Sequence, residues 1–158
     1  MIKLADILKE INEGKQVSDR YHFTSLGGLY GILKDEFIKP NTENQISTTR
    51  NKQMDLTIFP AGGGAALIML ILDGDKISNR YKIRPFNIAG DYDDLPAYLN
   101  KDEFEEQIIT NGKNFPIFPY LKNVSITIQN ERRLDKEMLT QVGAILKEKN
   151  IPYEIKES

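Results

Sequence analysis

Residues 65–72 read AALIMLIL, an unbroken apolar run followed at once by Asp-Gly-Asp. Such continuity lacks the apolar-polar alternation of a half-exposed strand, so it predicts a strand buried on both faces at the centre of a sheet. The run is far shorter than the ~20 residues a membrane-crossing helix needs. The DGD that ends it reads as a turn, with Asp73 and Asp75 shaping a β-turn rather than holding a divalent cation.

The rest of the chain supplies cover for that strand. Leu4, Ile7, Leu8 and Ile11 are spaced for an amphipathic helix over 3–12, closed by Gly14. RYHFT reads as a short strand. Ser25 caps a helix in which Leu26, Leu29, Tyr30 and Leu33 form the apolar face. Gly27 and Gly28 weaken the start of that helix or let something approach its backbone. FIKP is a brief extended segment stopped by Pro40, NTENQ a polar loop, and ISTT a strand ending at Arg50 and Asn51. The stretch 79–100 reads as loop, with prolines at 85 and 96 and acidic residues at 91, 93 and 94. DEFEEQIIT fits a helix or a strand, and NVSITIQ alternates as a strand. Met138, Leu139, Val142, Ile145 and Leu146 mark a last helix with Lys147 and Lys149 near its end, and IPYEI closes as a strand. With no repeat or linker, residues 1–158 form one α+β domain.

Composition removes whole classes of chemistry. There is no cysteine and one histidine, so thiolate nucleophiles, disulfides and His-rich metal sites are excluded. The net charge of −2 provides no general basic field, so any nucleic-acid contact has to be local. MIKLADILKEINEG is not a signal peptide, which makes a cytoplasmic location the default expectation. Gly62, Gly63 and Gly64 match neither phosphate-loop pattern and read as a loop. Tyr81, Tyr92 and Tyr98, scattered among acidic residues, give weak support to a base-stacking platform.

His22, Arg50 and the acidic group Glu103, Glu105 and Glu106 lie at or beside predicted strand ends, where distant segments can share one cleft. Arginine offers a planar fork for phosphate, histidine a hydroxyl partner or proton carrier, and glutamate a stabiliser of positive charge on a sugar. Together they suit cleavage at an anomeric carbon through an oxocarbenium-like transition state. They equally suit a metal-independent ribonuclease using Glu, His and Arg as base, acid and phosphate clamp. The acidic 87–106 stretch, with Gly90 and Pro96, also fits a non-enzymatic interaction protein.

YHFT, the helix GGLYGILKDEFI after it, ISTTRNKQMDL and EFEEQII resemble the ADP-ribosyltransferase fold. The branch most similar is that of the DarT-like DNA ADP-ribosyltransferase toxins, or a small phage or mobile-element variant of them. The resemblance implies a split β-sheet core with flanking helices, the N-terminal helix (1–14) packed on it, and NAD as substrate between the half-sheets. It places His22 on a ribose hydroxyl of the dinucleotide. Thr24, Gly27, Gly28 and Tyr30 come near the nicotinamide or ribose, and Ser47 and Thr48 on the floor. Arg50 falls near the pyrophosphate or the acceptor, and Glu106, or its neighbour Glu105, on the catalytic glutamate. The implied reaction is NAD glycohydrolysis or ADP-ribosyl transfer to a macromolecular acceptor, nucleic acid or protein. Two departures stand out: the Pro-Met pair after the arginine is missing, and the glutamate is doubled.

Overall fold

The computed structural model describes residues 19–40, 45–49, 64–85 and 106–157, with backbone only for Gln45, Arg84, Pro85, Glu106 and Gln107. The elements run β1 (Arg20–Ser25), α1 (Leu26–Asp35), β2 (Phe37–Ile38), β3 (Gln45–Thr48), β4 (Ala66–Leu72), α2 (Gly74–Arg80), β5 (Lys82–Pro85), β6 (Glu106–Ile109), β7 (Phe115–Pro116), β8 (Leu121–Ile128), a 3₁₀ turn (Glu131–Arg133), α3 (Lys136–Glu148) and β9 (Tyr153–Glu157). This is a mixed α+β architecture. The helix expected over 3–12 lies outside the described residues, as does the stretch 86–105.

Two sheets organise the molecule. The larger has the order β1-β4-β8-β9 and the smaller β3-β6-β5, while β2 and β7 form a two-stranded pair. In the larger sheet β4 is antiparallel to both neighbours, with Leu70 opposite His22 on one side and Val124 on the other. β9 runs parallel to β8, which the intervening α3 makes possible.

The apolar run does form the central strand, but the expectation of burial on both faces is corrected. Ala66, Ile68, Leu70 and Leu72 are buried, while Leu67, Met69 and Ile71 between them are half-buried. An all-apolar sequence hides this period of two, because Leu and Ile tolerate either environment. Ile68, Leu70 and Leu72 join Leu29 and Leu33 of α1, Val124 and Ile126 of β8, and Val142 and Leu146 of α3 in one core. Each fully buried aliphatic side chain contributes roughly 1.5–3 kcal/mol relative to an exposed one.

The DGD segment is also corrected. Asp73 is the N-cap of α2, its Oδ1 accepting the Lys76 backbone N–H at 3.1 Å, so the chain enters a helix there instead of a simple turn. Part of the stretch expected as loop is therefore ordered: α2 ends at Arg80 and β5 follows at once. DEFEEQIIT resolves to a strand from Glu106. No described helix is long and apolar enough to cross a membrane.

Candidate active site

The two sheets meet along β1 and β3. Tyr21 and Thr49 exchange backbone hydrogen bonds at 2.8 and 2.9 Å, an isolated antiparallel bridge. Carried further, that pairing would set His22 against Thr48, but the ladder stops after one rung. In its place the His22 Nδ1–H donates to the Ser47 carbonyl at 2.8 Å. A carbonyl can only accept, so this contact fixes the tautomer: Nδ1 carries the proton and Nε2 keeps its lone pair. Burial pushes the imidazole below its ordinary pKa of 6.5, the Ser47 hydrogen bond opposing this more weakly. The ring is thus held neutral, with one acceptor nitrogen to offer.

The period of β1 puts Arg20, His22 and Thr24 on one side of the strand. Arg20 is 1% exposed and engaged by its surroundings. Sequence reasoning passed over it, although an arginine two positions before a strand histidine shares its face and was open to notice. Thr24 meets α1 at its start. Ser25 caps that helix, its hydroxyl accepting the Gly28 N–H at 3.0 Å. A Cβ at Gly28 would collide with Thr24 Oγ1, so Gly28 is required for packing of helix on strand. Gly27, one residue earlier, has open space beside it among the described residues. Tyr30 sits a turn further along α1, half-buried, with the Lys34 ammonium 5.3 Å from its ring centroid.

From Ser47 the smaller sheet leads directly to Glu106. Thr48 is the register partner of Glu106, and Ser47 of Gln107. The backbones of His22 and Glu106 are therefore separated by about two inter-strand spacings, on the order of 10 Å. The fold brings the backbones of His22, Ser47, Thr48 and Glu106 to one seam, and Thr24, on the His22 side of β1, packs against Gly28. Arg50, Glu103 and Glu105 lie outside the described residues. No cluster of three or more His, Asp or Glu able to hold a metal occurs among the described residues.

No family model and no curated protein sequence matches the chain. Solved structures do. DarT from Thermus sp. 2.9 in complex with NAD+ superimposes with a TM-score of 0.56 at 13% identity, covering 89% of this chain and 95% of that one. The same protein with carba-NAD+ gives 0.52 at 14% identity and the same coverage. At such identity the likeness speaks for architecture: the chain has the DarT-like ADP-ribosyltransferase fold.

Proposed function

We propose that this chain binds NAD at the seam between its sheets and breaks the nicotinamide–ribose bond, passing ADP-ribose to a macromolecular acceptor or to water. The observation that carries the reading is the His22–Ser47 hydrogen bond. It aligns a neutral imidazole whose Nε2 carries a lone pair, which suits a ribose hydroxyl donor, at the junction that also leads to Glu106. The fold it shares with structures holding NAD+ supports the same reading.

NAD supplies an anomeric carbon whose leaving group, nicotinamide, departs with the bonding electron pair. The chain does the rest. His22 accepts a hydrogen bond from a ribose hydroxyl. Glu106 holds the 2′-hydroxyl of the nicotinamide ribose and stabilises the positive charge that develops as the bond breaks. Thr24, Ser47 and Thr48 contribute from the adjoining strands, Gly27 lets the ligand near the α1 backbone, and Tyr30 flanks it. Arg50 clamps the pyrophosphate or the acceptor, and Glu105 stands beside Glu106. The acceptor's nucleophilic oxygen or nitrogen bonds to the same carbon and releases its proton.

The test is incubation with labelled NAD alone and then with DNA, RNA or lysate, following nicotinamide release and the fate of the label. Glu106→Gln is expected to lower release by on the order of 10²–10³ while melting stays cooperative. Unchanged release from a folded Glu106→Gln protein would remove the assignment.

A further inference from the structure

A concave site lies away from the His22–Ser47 contact. A groove of about 510 Å³ is lined by Arg80, Tyr81, Lys82, Ile109, Thr110, Asn111 and Lys113. No carboxylate lines it among the described residues. Arg80, Lys82 and Lys113 are all exposed, and none is in an ion pair among the described residues. In a chain whose net charge is −2, these cations make a local positive field.

The groove is built by two short segments. α2 ends at Arg80 and passes straight through Tyr81 into β5. Opposite, β6 ends at Ile109 and the chain reverses at Asn111 and Gly112, both at positive φ (54° and 82°), with the Lys113 N–H bonded to the Thr110 carbonyl at 3.1 Å. Lys82 and Ile109 are register partners, which fixes the two walls against each other. Tyr81 is held by Phe115 at 5.2 Å and by Tyr120 edge-on at 6.0 Å, so it presents a preset aromatic surface. Burial, reinforced by Tyr120, to which the phenol is hydrogen-bonded, and opposed by Arg80, keeps that phenol above the ordinary range and protonated.

We propose that this groove binds a nucleoside di- or triphosphate, at a site separate from the seam. Cations surround the phosphates, the exposed Asn111 at the turn supplies polar contacts, and Tyr81 faces the base or sugar. The volume lies in the range of small-molecule sites. A polynucleotide instead needs cations along a track that follows successive phosphates, whereas here they surround one cavity. Glu106 is at the opposite end of β6, about 10 Å along the strand, so the groove and the catalytic end of the seam occupy different ends of β6.

Titration of the full chain with ATP, ADP, inorganic pyrophosphate and inorganic phosphate tests this, read by calorimetry and by tyrosine fluorescence, which no tryptophan obscures. ATP and ADP are expected to bind, at least tenfold more weakly in the Lys82→Glu, Lys113→Glu double variant. Affinity should be unchanged in His22→Ala. Equal affinity in wild type and a cooperatively melting double variant would overturn the proposal. So would loss of ATP binding in His22→Ala with displacement by NAD, which would place the nucleotide at the seam. Binding of oligonucleotides alone, with ATP, ADP and pyrophosphate inert, would also overturn it.

Discussion

The imidazole of His22 takes over from the backbone at the point where β1 and β3 part: one residue beyond the Tyr21–Thr49 bridge, its Nδ1–H reaches the Ser47 carbonyl at 2.8 Å. This contact has a structural half and a chemical half, and substitution separates them. His22→Asn places an amide nitrogen roughly where Nδ1 was, keeping a donor for Ser47 but losing the Nε2 acceptor. It is expected to melt near wild type yet turn over NAD at least tenfold more slowly. His22→Ala loses both, at a cost of about 1–3 kcal/mol in stability from the unpaired carbonyl. Thermal melts beside nicotinamide-release assays check this; full activity in His22→Asn would make the histidine merely structural.

The lowered imidazole pKa sets a pH signature. Below 6.5 the unfolded chain takes up a proton that the folded chain refuses, so the unfolded state binds more protons and stability falls with falling pH. The contribution is fully present above 6.5 and is lost as pH falls toward the depressed folded value. Denaturant titrations from pH 8 to 5 should show this slope in wild type and a shallower one in His22→Asn. NAD affinity should stay flat from pH 8 to 6.5, because Nε2 remains an acceptor throughout.

Adjacent glycines in α1 should respond oppositely to alanine. Gly28→Ala drives a methyl group into Thr24 Oγ1 and is expected to cost about 1–3 kcal/mol, part of it recovered with Thr24→Ala. Gly27→Ala meets open space among the described residues and should stabilise by about 0.5–1 kcal/mol through the less flexible unfolded chain. Melting of the single and double variants decides both. If Gly27→Ala keeps its stability but loses NAD binding, ligand approach to that backbone gains direct support.

Much of the architecture was readable because its signals are periodic. The alternation in NVSITIQ gave β8, and the spacing of Val142 and Leu146 gave α3. Ser25 as a cap was legible from its place before an apolar helical face. α2 was not, because seven residues with Ile77 as their one buried large apolar side chain carry no periodicity. Aspartate serves turns and helix caps alike, so Asp73 pointed both ways. Asp73→Ala should now cost about 1 kcal/mol, as for a lost N-cap, checked by chemical denaturation. Within the site, the order of YHFT, ISTT and EEQI along the chain was legible. The Ser47 carbonyl as His22's partner was not, since a backbone acceptor leaves no mark in side-chain identity. Nor was Gly28's occupant, Thr24, visible where the sequence suggested room for a ligand.

The parallel pairing of β8 with β9 through α3 also bears on how the chain reaches its native state. β1 finds β4, and β4 finds β8, across long intervening stretches, whereas β8, α3 and β9 are consecutive along residues 121–157. Short loops close at lower entropic cost, so this C-terminal unit is poised to nucleate, with the central strand adding to a template already laid down. Conservative truncations in α3 should therefore slow refolding more than matching ones in β1.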